Sequence, residues 1–246
     1  MQTFPYELTG PIGSRATFGH IVLQVDETLE QDMRRLLPGG EVAHHVSRIP
    51  SGDELTPDTI ATMKETLSAA AALLPPAAEF DVIGYGCTSG TTLIGADRVA
   101  DLVRQGAAST HVTDPLTAAL AALAALDVRS LALVSPYVES VSAPVRQAFV
   151  ARGYDVSGTV SFGEEVEARV ARIDPASIHA AALSVAGDAD AVFLSCTNLR
   201  TLDIIDDLEA RLGRPVLSSN QVLAWHMAQL AGAPKQCKGP GRLLGI

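Results

Sequence analysis

The sequence of 246 residues has few lysines, few cysteines, few aromatics and no long apolar run, and each shortage closes off a class of function. Lysine occurs only at Lys64, Lys235 and Lys238, and the net charge is −10, so the diffuse positive field that gathers nucleic acid is missing. Nucleic acid is not an expected partner. The longest apolar stretch, LTAALAALAAL at 116–126, falls well short of the roughly 20 residues that cross a bilayer. No membrane contact is expected, and the start MQTFPYELTGPIGSR lacks the basic-then-apolar order of a secretory signal, so the expected compartment is cytoplasmic. Three cysteines, Cys87, Cys196 and Cys237, with no C-x-x-C and no Cys/His cluster at zinc spacing, suggest neither a disulfide framework nor a metal site. G-x-x-x-x-G-K-[ST] is also absent, and the glycines at 84, 86 and 90 space one residue too long for a dinucleotide fingerprint.

What is present is a globular α/β pattern, with 47% hydrophobic residues. Buried-strand runs are expected at 20–25, 41–47, 81–85, 109–113, 130–135, 155–160, 190–195 and 215–218, with helices between them. Thr56-Pro57, Asp114-Pro115 and Asp174-Pro175 each join a capping residue to a proline at the first helical position, where the missing N–H costs nothing. Gly106, Gly153, Gly187 and Gly213 punctuate the helix ends.

The second half of the chain repeats the first. DVIGYGCTSGTT at 81–92 matches DAVFLSCTNLRT at 190–201: an aspartate opens an apolar run, the cysteine comes six residues later, and a threonine follows at once. The flanking segments match too, HIVLQVDETLEQDMRRLL with LALVSPYVESVSAPVRQAF and HVTDPLTAALAAL with VLSSNQVLAWHMAQL. Two similar lobes of four strands each follow, with a cleft between them: residues 1–115 as the first lobe, completed by the C-terminal helix 220–232, residues 116–219 as the second, and 233–246 as a tail.

Ligands of open parallel sheets collect at the carboxyl ends of the strands, where Cys87 and Cys196 both fall. At the start of a helix a thiol is expected to have its pKa lowered toward neutrality. Free N–H groups there, with the hydroxyls of Thr88, Ser89 and Thr197 and the amide of Asn198, suit a carboxylate or an enolate oxygen. Two thiols facing one small acid from opposite lobes fit proton exchange at the carbon beside a carboxylate. Free cysteine is also a common core residue, and Cys237, in KQCKGPGR without a counterpart, is read as incidental. His44, His45, His111 and His226 read as structural, and the pairs Thr113-Asp114 and Ser219-Asn220 as helix caps.

On VDETLEQDMRRLLP, GYGCTSGTTLIG, VTDPLTAALAAL and SCTNLRTLDIIDDLEARLGRPVLSSNQVLAWHM, the chain resembles the maleate cis-trans isomerase and arylmalonate decarboxylase branch of the aspartate/glutamate racemase superfamily, over about residues 18–232. Within it the chain is most similar to the ectoine-utilisation protein A group. The resemblance implies two Rossmann-like lobes with pseudo-twofold symmetry, a cofactor-independent reaction on a small carboxylic acid, and a fold compatible with homo-oligomers. It matches Cys87 and Cys196 to the isomerase cysteines, one of which adds to the alkene as thiolate while the other handles a proton. Tyr137, in VSPYVES, matches a tyrosine that binds a substrate carboxylate; Thr88 and Ser89 match a Thr-Ser pair that stabilises an enediolate in the decarboxylases.

Two positions depart from that pattern. Asp26 stands where the isomerases carry an asparagine, and Phe162-Gly163 stands where a second asparagine is expected after the strand near 160. Asp26 is either a helix cap before ETLE or a cleft residue, in which case it favours a substrate bearing a cation beside its carboxylate, such as an amino acid or a cyclic amidine acid like ectoine. The expected function is a cysteine-dependent isomerase or racemase with a maleate-isomerase-like mechanism, acting in ectoine degradation. The alternatives are a decarboxylase of the arylmalonate type and a non-catalytic protein that binds a small solute.

Overall fold

The computed structural model describes residues 1–54 and 56–246. The first half runs β1 (Ala16–Leu23), α1 (Leu29–Leu36), β2 (Val42–Ile49), α2 (Pro57–Ala71), β3 (Phe80–Gly86), α3 (Thr88–Ile94), α4 (Ala96–Gly106), β4 (Ser109–Thr113) and α5 (Pro115–Ala125). The second runs β5 (Ser130–Tyr137), α6 (Glu139–Val150), β6 (Asp155–Glu164), α7 (Glu167–Val170), α8 (Pro175–Val185), β7 (Ala191–Leu194), α9 (Ile205–Leu212), β8 (Val216–Ser218) and α10 (Ser219–Leu230). Two four-stranded sheets form, ordered β2-β1-β3-β4 and β6-β5-β7-β8, and every pairing within them is parallel. The second order is the first with each strand advanced by four, which is the duplication read from the sequence.

All eight expected strands are present. β1 begins four residues before the expected start because Ala16–Gly19 pair with Val42–His45. Central strands bury both faces under helices, so β1 is buried along its whole length, whereas the edge strand β6 alternates between exposed and half-buried residues. The three capped starts also hold: Thr56 accepts from Thr59 N–H, Asp114 from Thr117 N–H and Asp174 from Ala176 N–H. Gly213 ends α9 at φ 72°, a left-handed position that suits a residue without Cβ.

The aspartates that open the two matched segments anchor the central strand of each sheet. Asp81 Oδ2 accepts from Thr17 N–H at 2.8 Å, and Asp190 Oδ2 accepts from Arg129 and Ser130 N–H at 3.0 and 2.9 Å. Their recurrence thus reflects strand registration at the end of each sheet remote from the cysteines.

The C-terminal helix α10 packs on β3 and β4 and against α1 and α5. Residues 237–242 then strap across both halves: Lys238 N–H donates to Leu36 carbonyl at 2.7 Å, and Gly241 N–H to Asp206 at 2.8 Å. Cys237 is buried there, its thiol pushed up to about 12 by burial alone. Among the described residues no helix is long and apolar enough to cross a membrane.

Candidate active site

The turn after β3 carries Cys87 as the N-cap of α3. Its Sγ accepts from Gly90 N–H at 3.1 Å and lies 3.6 Å from Ser89 Oγ. The glycines around it allow close packing. A Cβ on Gly86 would collide with Leu29, and one on Gly90 would stand 2.6 Å from Tyr85 Oη and 2.9 Å from Cys87 Sγ. The spacing that grazes a nucleotide fingerprint is a packing requirement, set at Gly84 by Met227, at Gly86 by Leu29 and at Gly90 by Tyr85 and the thiol.

The turn after β7 is built differently. The expected helix at Cys196 does not form: residues 195–201 are irregular, and α9 waits until Ile205. Cys196 has φ 139°, a region that L-residues avoid and that costs about 1–3 kcal/mol when imposed. Tertiary hydrogen bonds hold it there. Cys196 N–H donates to Ser219 Oγ at 3.0 Å, and the same Ser219 hydroxyl shares a 2.9 Å hydrogen bond with Thr88 Oγ1. Thr197 Oγ1 donates to Gly86 carbonyl at 3.3 Å, and Asn220 Nδ2 donates to Thr197 carbonyl at 2.8 Å. The two cysteine turns are therefore tied directly to each other. Ser218, not Ser219 or Asn220, caps α10, and this frees the latter two for the ties.

Tyr137 ends β5 and is 1% exposed; its pKa is driven up by burial, then by Cys196 and Cys87. Both thiols are buried, at 3% and 5% exposure. Here the expectation of acidified thiols fails. Burial pushes Cys87 up to about 11 despite the Ser89, Gly90 and Tyr85 hydrogen bonds, and pushes Cys196 well above the usual range, with Glu167 adding to the rise. Desolvation of a thiolate outweighs one helix terminus where the thiol is buried.

Asp26 is a helix cap, the first of its two expected readings. Oδ1 accepts from Thr28 and Leu29 N–H, both at 2.8 Å, so it caps the entry to α1; Oδ2 is buried without a partner. Burial raises its pKa, opposed by the Leu29 N–H, the Thr197 hydroxyl, the Thr28 N–H and Arg48.

Asn198 spends its amide inside the protein. Its Oδ1 accepts from Glu27 N–H at 2.9 Å, and its Nδ2 donates to Glu167 Oε2 at 3.1 Å. It therefore positions Glu167, a residue that motif reading passed over. Glu167 is 4% exposed, its carboxyl is pushed up to about 7 by burial and by Asp26, and its charge bears on Cys87, Cys196 and Tyr137. The sequence offered one signal. β6 runs through Phe162-Gly163 to Glu164, so the cleft-facing turn comes after the position at which an asparagine was sought. Asp32 was also missed; it accepts from Asn220 Nδ2 at 2.8 Å, and burial pushes it up to about 6.

Backbone links join the segment before α2 to the start of α7. Glu167 N–H donates to Asp53 carbonyl at 3.1 Å, and Glu54 and Val166 form an antiparallel bridge. A cavity of about 170 Å³ lined by Thr28, Asp32, Arg35, Arg200 and Thr201 reaches the flank of the acidic cluster. A larger cavity, about 630 Å³, opens at the opposite ends of β3 and β4, by Asp81 and Ser109, away from the thiols. Among the described residues no three His, Cys, Asp or Glu side chains are grouped to hold a metal ion.

The arylmalonate decarboxylase family model matches residues 52–244. The arylmalonate decarboxylase of Bordetella bronchiseptica is 36% identical over 131 residues, covering 52% of this chain and 55% of that protein. The maleate isomerase of Nocardia farcinica is 27% identical over 238 residues, 92% of this chain and 94% of that protein. A solved structure of the N. farcinica maleate cis-trans isomerase, a cysteine-to-serine mutant with a covalently bound succinylcysteine intermediate, superposes with a TM-score of 0.85 at 26% identity, covering 93% of this chain and 98% of that one. A liganded double mutant of arylmalonate decarboxylase gives 0.83 at 28% identity over 93% and 98% of the two chains.

Proposed function

We propose a function from one premise: the chain belongs to the arylmalonate decarboxylase family. Our reading is a cofactor-independent isomerase or racemase that acts at the carbon beside the carboxylate of a small acid, with Cys87 and Cys196 as the reactive pair. The observation that carries it is the joining of the two cysteine turns through Ser219.

In this reading the substrate carboxylate takes hydrogen bonds from Tyr137 and the hydroxyls of Thr88, Ser89 and Thr197. Cys87 is the attacking sulfur, because Gly90 N–H already points at it and α3 begins beside it. In a maleate-type reaction Cys87 first gives up its S–H proton to solvent; the thiolate then bonds to one alkene carbon and the π electrons pass to the carbon beside the carboxylate. Cys196 delivers a proton there; rotation about the single bond, return of that proton and cleavage of the C–S bond give the trans acid. In a racemisation one sulfur removes the α-proton as thiolate while the other, as thiol, supplies a proton from the opposite face. The succinylcysteine seen in the N. farcinica isomerase supports the additive route. The raised thiol values fit a resting state with both sulfurs protonated, so the Cys87 proton has to leave before addition.

Decarboxylation is the second reading, favoured by the 36% identity to the B. bronchiseptica enzyme. A role in ectoine degradation, by likeness to the ectoine-utilisation protein A group, remains part of this proposal, as does a cytoplasmic site of action.

The test is a panel of four- to six-carbon acids, including maleate, aspartate derivatives and ectoine, incubated in deuterium oxide. Isomer composition, deuterium uptake, carbon dioxide release and the intact mass of the protein are read together. Addition predicts a covalent adduct on Cys87; racemisation predicts deuterium uptake without one; Cys87→Ser and Cys196→Ser each lower turnover by about a hundredfold or more. Turnover that survives both substitutions refutes the thiol mechanism, and binding without turnover of any kind marks a solute-binding protein.

A further inference from the structure

The mechanism uses the thiols and hydroxyls and leaves unexplained the acids packed beside them. Asp26, Asp32 and Glu167 are 2%, 5% and 4% exposed, and each is linked by hydrogen bonds to the cysteine turns. Asp26 Oδ1 receives the N–H groups of the β1–α1 turn, where Thr28 Oγ1 donates to Asn198 carbonyl at 2.9 Å. Glu167 Oε2 is fixed by Asn198 Nδ2, and Asp32 Oδ2 by Asn220 Nδ2. Among the described residues none of the three is in an ion pair: the salt bridges of this region join Glu30, Arg34, Arg35, Arg48, Arg172, Glu27 and Asp203 at the surface.

A buried group of acids outside any salt bridge could be a proton-sharing structural cluster. A second observation argues for a ligand. Asp26 Oδ2 has no hydrogen-bond partner although the residue is 2% exposed. Asn198, two residues after Cys196, accepts from Glu27 N–H at 2.9 Å and donates to Glu167 Oε2 at 3.1 Å, and so sets the turn that carries Asp26 beside Glu167. An unpaired carboxylate oxygen in a dry site repels an anion and attracts a cation more strongly than it would in water.

Building on the proposed function, we infer that Asp26 and Glu167 form a seat for the cationic nitrogen of the substrate, so that this site takes a small amino acid or amidine acid rather than a dicarboxylate. The substrate carboxylate lies toward Tyr137 and the Thr88–Ser89 turn, and its ammonium or amidinium lies between Asp26 Oδ2 and the Glu167 carboxylate. Asp32, one hydrogen bond further back on Asn220, positions this seat and does not contact the ligand.

Four probes of similar size separate the possibilities: butyrate, succinate, 2-aminobutyrate and 4-aminobutyrate, titrated calorimetrically into the intact protein. At least one of the two ammonium-bearing acids is expected to bind about tenfold or more tightly than both butyrate and succinate. In the Asp26→Asn, Glu167→Gln double variant that preference falls to within about twofold. Equal or tighter binding of succinate or butyrate by the wild-type protein overturns the inference, as does a preference that survives both substitutions. Should the double variant not fold, the wild-type ranking decides alone. Calorimetry reads binding without turnover, so the Cys87→Ser, Cys196→Ser variant keeps the preference if the seat is right, even where the thiol chemistry proposed above is refuted.

Discussion

The turns after β3 and β7 carry the same sequence signature and fold differently. At Cys87 the backbone is extended and a helix starts at the next residue, so local N–H groups serve the sulfur. At Cys196 the backbone is held at φ 139°, no helix follows for several residues, and the hydrogen bonds come from Ser219, Asn198 and Tyr137. One thiol is organised by its own turn and the other by the rest of the protein. A duplicated fold thereby acquires two unlike sulfurs, as a reaction that needs one nucleophile or base and one acid requires.

Glu167 is where the asymmetry is greatest, since its charge is the second-largest influence on Cys196 but only a minor one on Cys87. Its folded value of about 7 lies above the ordinary 4.5, so its contribution to stability is full below about pH 4.5 and is lost as pH rises through 7. Glu167→Gln is therefore expected to abolish that loss, gaining up to about 3 kcal/mol over wild type at pH 8 relative to pH 4, in denaturant titrations. The same substitution brings the alkylation rate of Cys196 closer to that of Cys87.

Ser219→Ala removes the hydroxyl shared by Thr88 and Cys196 N–H. We expect a loss of about 2 kcal/mol, from the buried N–H left unpaired, and faster iodoacetamide labelling at Cys196 than at Cys87. Equal acceleration at both would remove the distinction between the turns.

Glycine substitution probes the backbone difference directly. Cys196→Gly should be more stable than Cys196→Ala by about 1 kcal/mol, because glycine adopts φ 139° without strain; at the extended Cys87 the order reverses, with glycine lower by about 0.5–1 kcal/mol. Thermal denaturation of the four variants is sufficient.

The smallest effect is expected at the remote end of the sheets. Asp190→Asn weakens the exposed anchor of β5 by less than about 1 kcal/mol. The N–H groups of Arg129 and Ser130 hold the Asp190 carboxyl below its usual range, so its contribution is present above the unfolded value and fades as pH falls through the depressed folded one. A variant that matched wild type at pH 3 but was weaker at pH 7 would bear this out.

The α/β order, the eight strands and the proline-marked helix starts were legible because they rest on local rules: apolar runs, caps and a proline at the first turn. Cys87 was legible as a helix start for the same reason. Cys196 was not, since its threonine and asparagine imitate a cap while Ser219 and Asn220, far along the chain, pull the turn into another shape. Asp26 read as either cap or ligand, and the structure gives each oxygen a different situation.

The sequence alone determined the duplication, the strand order's raw material and the two sulfur-bearing turns, because these depend on neighbours along the chain. Only the tertiary structure decided that burial raises both thiols, that the charge of Glu167 bears on them, and that Asp26 keeps an oxygen without a partner. Those properties follow from desolvation and from charges distant in sequence, and neither exists until the two lobes have closed on each other.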